Sequence, residues 1–397
     1  MERITPQAAK ARITDRMPNY APKNGGQAES LTFLAAHGEA SETLYEYEQG
    51  KLHIFAPAFN ELPPIIGTCE VGGDDMPEVV EDWLTDYARE LEQLENGTAT
   101  LVEGDKGTSE DGETINPLIL TKWAQKDPYN RYIINGCVTG CGATAVSMLI
   151  KYWGDLGFHR GMPPTESYTT KTSKYIVPAL KSVMAFDYKN MPTGKPRTSQ
   201  EIAAVATLMQ HVGYALKSDY KTTGTSSGLA NIAKVLKDNL QMGSKVKAIY
   251  ASNGAKVFEE SIKEEIKAAR PVFLGGWNSS GTGGHFFLVD GYDPITNFFH
   301  INWGAGGSYD GWFALTALNP GKYNYSSYKK AIIGVQPDYV KGDVNGDGSV
   351  SVSDVMMVQQ MILKHQYNEA ADVNQDGVVD VVDMMAIVQE VMKGGTL

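Results

Sequence analysis

The chain has 397 residues, with 47 acidic and 35 basic side chains for a net charge of −12, 42% apolar and 10% aromatic residues, and three cysteines. That composition excludes a disulfide-stapled mini-protein, which needs more cysteine, and a disordered chain, which has fewer apolar and aromatic residues. No stretch reaches the ~18 uninterrupted apolar residues of a membrane helix, so two or three soluble globular domains and no membrane partner are expected.

The charge is unevenly placed: residues 1–110 carry −13, residues 111–340 carry +7 and residues 341–397 carry −6. An acidic first segment beside a basic middle one predicts electrostatic complementarity between them. The middle segment's lysines are scattered without a basic run, which argues against nucleic acid as a partner. Cys69, Cys137 and Cys141 make an odd count, so no structural disulfide framework is expected. The polar start after Met1 has no apolar signal segment, and any export signal is expected to be absent from this sequence or already removed.

Along the chain, Leu44, Tyr45, Tyr47, Leu52, Ile54 and Phe55 predict paired strands around Gln49-Gly50, and Ile65-Ile66 a further short strand. Pro77 then opens a helix whose Val79, Val80, Trp83, Leu84, Tyr87, Leu91 and Leu94 recur at three- and four-residue spacings. From Asn96 to Asn116 the composition turns to Gly, Thr, Ser, Asp and Glu without apolar periodicity, the mark of an exposed, cuttable linker. The chain restarts at Pro117 and runs unbroken to about Val340. Helices are predicted over 141–153 and 200–213, and strands at 271–274, 286–289 and 298–301. Helices first and strands later predict an α+β domain.

The tail repeats itself: the twenty residues from Asp343 align with those from Asp372 at an offset of 29. Asp343, Asn345, Asp347, Gly348 and Asp354, and again Asp372, Asn374, Asp376, Gly377 and Asp383, fall at positions 1, 3, 5, 6 and 12 of a loop. Calcium is a hard cation that takes six to eight oxygens, and the glycine supplies the sharp bend. The carbonyls of Ser349 and Val378 serve position 7, and Ser351 and Asp380 position 9. Each loop runs into one helix, Val355–Leu363 and Met384–Met392, with none before it. That arrangement resembles a type I dockerin over residues 341–393. The resemblance implies a small all-α module holding two calcium ions, binding a cohesin domain on an extracellular scaffold, with Val352-Ser353 and Val381-Val382 helping to select the cohesin.

Cys141 precedes the apolar run Gly142–Ile150. A thiol at a helix start meets unpaired N–H groups and the positive end of the dipole, which favour the thiolate. His285 follows 144 residues later and Asn302 another 17 residues on, an order and separation that suit a papain-type Cys, His and Asn trio. His protonates the leaving amine, while Asn orients the imidazole without adding charge.

Trp123-Ala124-Gln125, Pro128-Tyr129-Asn130, Thr139-Gly140-Cys141, Gly283-Gly284-His285, His300-Ile301-Asn302-Trp303-Gly304, Asp310-Gly311-Trp312-Phe313 and Leu318-Asn319-Pro320 resemble, in order, the signature blocks of streptopain-like cysteine peptidases. The resemblance implies a papain-like fold with Cys141 as nucleophile, His285 as general acid/base, Gln125 as oxyanion donor, Asn302 orienting His285 and Trp303 shielding that bond, with no cofactor for catalysis. His300 is expected to pack in the core on the same strand face as Asn302. Residues 1–110 resemble the family's α+β propeptide and activation linker, followed by a catalytic domain over 111–340 and the dockerin over 341–397. The expected protein is a secreted or cell-surface thiol protease zymogen acting on protein or peptide substrates and covered by its own propeptide. An amidase or acyl transferase using the same pair, and an inactive papain-like binding module, remain as alternatives.

Overall fold

The computed structural model describes every residue except 17–29, 72–75, 99–111, 160, 244, 278–283, 316–328, 338–340, 346–348, 369, 375 and 394–397. In chain order the first half has α1 (Pro6–Arg16), β1 (Thr32–His37), β2 (Leu44–Gln49), β3 (Leu52–Pro57), β4 (Gly67–Glu70), α2 (Glu78–Glu95), α3 (Cys141–Asp155), β5 (Tyr168–Thr169) and β6 (Ile176–Val177). Then come α4 (Ser199–Ala215), α5 (Leu229–Lys234), β7 (Lys247–Tyr250), α6 (Ala255–Lys267), β8 (Val272–Trp277), β9 (Gly284–Asp293), β10 (Phe298–Asn302), β11 (Gly311–Phe313), β12 (Lys330–Ile333), α7 (Val352–Lys364) and α8 (Val381–Lys393). These form two compact units: residues 1–125, 193–195 and 247–334, and residues 126–192, 196–246 and 335–397. Among the described residues no helix is long and apolar enough to cross a membrane.

The first unit is built on one ten-stranded sheet in the order β1-β2-β3-β4-β11-β10-β9-β8-β12-β7. Strand β4 of the acidic first segment pairs antiparallel with β11, setting Gly67 opposite Phe313 and Cys69 opposite Gly311. Both glycines are there for space, since a Cβ on Gly67 would lie 2.6 Å from the Phe313 ring and one on Gly311 2.3 Å from the Thr68 carbonyl. The stripe predicted on α2 is buried in full, and Trp83 stands edge-on to Phe287 and Trp303 at ring separations of 5.6 Å. Tyr87 donates its hydroxyl to the Ala314 carbonyl.

The expected charge complementarity takes the form of a buried pair: Lys329 Nζ lies 3.8 Å from Glu90 and 4.3 Å above the Trp83 ring. Strand order and apolar packing do the rest of the joining. The strand expected at Ile65-Ile66 begins instead at Gly67. Pro63 and Pro64 have no N–H to give a ladder, and Ile66 meets its neighbours by single bonds, from its N–H to Phe55 and from Ala314 N–H to its carbonyl. Helix α1 and strand β1 carried no signal in the sequence reading. The linker expected over 96–116 lies largely outside the described residues.

In the second unit α3 is buried from Cys141 to Lys151 and packs against α4, whose start is fixed by a capping box between Thr198 and Glu201. The tail has its own small core of Val344, Val350, Val358, Ala371, Val379 and Ile387 between α7 and α8. Both helices start three residues earlier than the pattern predicts. The carboxylates of Asp354 and Asp383 accept the N–H groups of Ser351 (2.9 Å) and Asp380 (3.0 Å), closing the helix entries upstream. His159 N–H reaches the Asn345 carbonyl at 3.3 Å, and Met357 fills the space where Gly157 lacks a side chain.

Candidate active site and calcium loops

Cys141 is the first residue of α3 and is buried. Gly140 before it holds φ +90°, a conformation that favours glycine, and a Cβ there would meet Thr225 at 2.9 Å. Having no side chain, Gly140 places no capping oxygen over the first-turn amides. The helix start therefore keeps its positive end for the thiol beside it. The turn is braced from outside. Thr139 and Thr144 share a hydroxyl hydrogen bond of 2.9 Å, and Thr225 donates to the Val138 carbonyl at 2.8 Å. No cysteine is disulfide-bonded. Cys137 ends a 3-10 turn with extended backbone, so it is not on a helix shared with Cys141.

His285, Asn302, Trp303 and Gln125 all belong to the first unit and Cys141 to the second. Half-buried at the start of β9, His285 directs Nε2 to the Trp303 carbonyl at 3.3 Å. A carbonyl only accepts, so Nε2 carries the proton and Nδ1 keeps its lone pair. Burial pulls the imidazole down to about 4, with the bond to Trp303 opposing, so the ring by itself is neutral at pH 7.

Asn302 is 2% exposed and is engaged elsewhere: its amide donates to the Thr121 carbonyl at 2.9 Å and its oxygen accepts Gly304 N–H at 3.1 Å. Gly306 N–H reaches the Trp123 carbonyl at 3.0 Å. These two bonds strap the segment that carries Gln125 to the loop that carries Trp303. In this arrangement the histidine-orienting acceptor is a backbone carbonyl, and Asn302 holds the loop that presents it. The alternation expected for His300 and Asn302 is interrupted, because the β9–β10 register slips between His300 and Ile301. His300 does more than pack: its Nδ1 lies 2.6 Å from Asp290 Oδ1, and the two carboxylates Asp290 and Asp310 hold it above the usual imidazole range against the effect of burial. Asp310 accepts Trp303 N–H at 3.0 Å. Asp310 stands in a motif block without a task and Asp290 directly follows the predicted strand 286–289; the signal available for both was a carboxylate flanking a short apolar strand.

In the tail, Asp343, Asp354, Asp372 and Asp383, positions 1 and 12 of the two loops, are at most 3% exposed. Among the described residues no Lys or Arg pairs with Asp354, Asp372 or Asp383. The second loop folds over its own oxygens, with Asp376 and Gly377 N–H on Asp372 and Val373 and Asn374 N–H on Asp383. Asn374 and Asp376 bond each other, while Asp380 accepts Val382 N–H. In the first loop Asn345 bonds Ser353, and Ser351 bonds Asp354, whereas Asp347 lies outside the described residues. No group of three or more His, Cys, Asp or Glu side chains is assembled for a metal among the described residues. The buried carboxylates of Asp354, Asp372 and Asp383, with no Lys or Arg partner among the described residues, and the all-oxygen donor set fit a hard divalent cation.

Residues 123–313 match the Peptidase C10 family, and residues 341–392 match the type I dockerin domain. The chain carries a C10 peptidase domain and a type I dockerin. Streptopain of Streptococcus pyogenes is 27% identical over 310 residues, covering 69% of this chain and 76% of that protein. Thiol protease/hemagglutinin PrtT of Porphyromonas gingivalis is 24% identical over 369 residues, 83% of this chain. The chain spans 41% of the length of PrtT. A fragment of prointerpain A from Prevotella intermedia superposes with a TM-score of 0.65 at 22% identity, over 78% of this chain and all of that one. The C10 domain has the papain-like fold, mixed helix and sheet, and the dockerin follows it.

Proposed function

We propose that this chain is the zymogen of an extracellular or cell-surface cysteine endopeptidase that hydrolyses peptide bonds through a thioester on Cys141, with His285 as general acid/base. The observation that carries the reading is the His285 geometry. An Nε2–H held by the Trp303 carbonyl leaves the Nδ1 lone pair to take up and return a proton, while the uncapped start of α3 favours a thiolate at Cys141. His285 takes the Cys141 thiol proton on Nδ1, the sulfur attacks the substrate carbonyl, and as the intermediate collapses to the thioester that proton passes to the departing amine. Water then attacks that thioester as His285 takes its proton, releasing the acid and the thiol. The Gln125 amide stabilises the oxyanion, a task worth ~3 kcal/mol for such donors. Asn302 and Trp303 keep His285 oriented.

Residues 1–110 act as the propeptide and linker. Their sheet extends that of the peptidase, and Trp83 packs on Trp303, the residue whose carbonyl holds His285. The peptidase domain then covers 111–340 and the dockerin 341–397. Each dockerin loop holds one calcium ion, through Asp343, Asn345, Asp347, the Ser349 carbonyl, Ser351 and Asp354, and through Asp372, Asn374, Asp376, the Val378 carbonyl, Asp380 and Asp383. Bound calcium supplies the positive charge that the buried carboxylates need. Exposed Val352, Val381 and Val382 offer an apolar face to a cohesin.

The test is to incubate the full chain with calcium and reductant and sequence any new N-terminus. A cut between about Asn96 and Asn116, absent in Cys141→Ala, is expected; maturation of Cys141→Ala without another protease overturns the reading.

A further inference from the structure

Trp303 is gripped at several points. Its indole N–H donates to the Tyr309 carbonyl at 2.8 Å, and its ring meets Trp83, Phe287 and Phe313 at 4.8–5.6 Å. Its backbone amide is held by the buried carboxylate of Asp310 at 3.0 Å, a charge-assisted bond. The carbonyl of this same residue accepts the Nε2–H of His285. Tyr309 has φ +61°, a left-handed conformation costly for an aromatic residue, and it is this turn that brings the Tyr309 carbonyl and the Asp310 carboxylate onto Trp303 together.

Around Asp310 lies a buried ionic group: His300 on Asp290, and Asp290 Oδ2 on Ile119 N–H at 2.9 Å, with Lys122 and Cys69 also within electrostatic reach of Asp310. Burial pushes the Asp310 carboxyl up to about 6, with the Trp303 amide and His300 opposing. Keeping a carboxylate in such surroundings is costly where an apolar residue could fill the space, and its bond is to the one backbone amide whose residue orients the general base.

We propose that Asp310 is a positioning residue of the peptidase reaction, acting on His285 through the Trp303 backbone. The inference rests on the reading of His285 as general acid/base. At 3.3 Å the His285 bond is already long, so a small rotation of the released Trp303 residue breaks it and frees the ring to turn.

The test uses full chains of wild type, Asp310→Ala, Asp310→Asn and His285→Ala, matured by a trace of immobilised wild-type enzyme and assayed on a fluorogenic peptide. Asp310→Ala is expected to lose about 10- to 100-fold in kcat with KM within about twofold, while Asp310→Asn, which keeps an acceptor oxygen, stays within about fivefold of wild type. If the alanine variant does not fold, Asp310→Ser, too short to reach the amide, carries the same expectation. Wild-type kcat in Asp310→Ala or Asp310→Ser, or an equal loss in Asp310→Asn, overturns the proposal. A fully active His285→Ala overturns instead the reading beneath it.

Discussion

The two acidic ends of this chain are ordered in opposite ways. The first segment gives its strands and its helix stripe to a sheet and core that it shares with β8–β12: β4 pairs with β11, and Trp83 and Tyr87 sit among Phe287, Trp303 and Phe313. The tail has its own apolar cluster of Val344, Val350, Val358, Ala371, Val379 and Ile387, beside four buried carboxylates. Similar charge density thus serves two designs. In the first segment the acids lie mainly outside an apolar joint, and in the tail they are the interior. The first segment is therefore expected to lose stability without the strands beside it, and the tail to gain stability from a cation that neutralises its oxygens.

Four measurements can break or sharpen that contrast. Trp83→Ala should cost about 4–5 kcal/mol of stability by urea unfolding, because a large buried ring is removed from the shared core, while calcium-dependent tail signals stay unchanged. Removing calcium with a chelator should cost the tail about 4 kcal/mol if free calcium had stood about a thousandfold above its dissociation constant. Hydrogen exchange should then show α7 and α8 losing protection and α2 keeping it; equal loss in both would end the distinction.

The third is a pH effect. Burial alone would raise Glu46, but hydrogen bonds from His37 (2.8 Å) and His53 (2.6 Å) outweigh it and carry the carboxyl down to about 2. A depressed carboxyl gives stability that is present above its unfolded value near 4.5 and lost as pH falls toward 2. Wild type should therefore lose roughly 3 kcal/mol over that window that Glu46→Gln does not, measured by unfolding at a series of pH values. The smallest is Val358→Ala, about 2 kcal/mol from the tail's core, read as a lower melting point of the calcium-loaded tail with the first segment unaffected.

Much of this was legible from residue order. The α2 stripe from Val79 to Leu94 is buried as its spacing predicts, the duplicated Asp and Asn positions place the tail's buried carboxylates, and the Gly140-Cys141 pair stands at a helix start. The His285 partner was not legible, since the acceptor is a backbone carbonyl and every residue has one. Helix α1 and strand β1 were missed because α1 buries only Ala9 and Ile13 and β1 is an edge strand with no fully buried residue, so neither has a strong period.

By itself, then, the sequence determined the α2 stripe and the spacing of the tail's repeated loops, because each depends on neighbours within a few turns of chain, and it carried the motif blocks in their linear order. Only the tertiary structure decided that Gly67 faces Phe313, that Glu90 meets Lys329, and that Asp310, Trp303 and His285 form one line of hydrogen bonds. Those contacts join residues 7 to 246 positions apart, and which distant strand lies next to which is settled by the packing of the whole sheet, not by any periodicity.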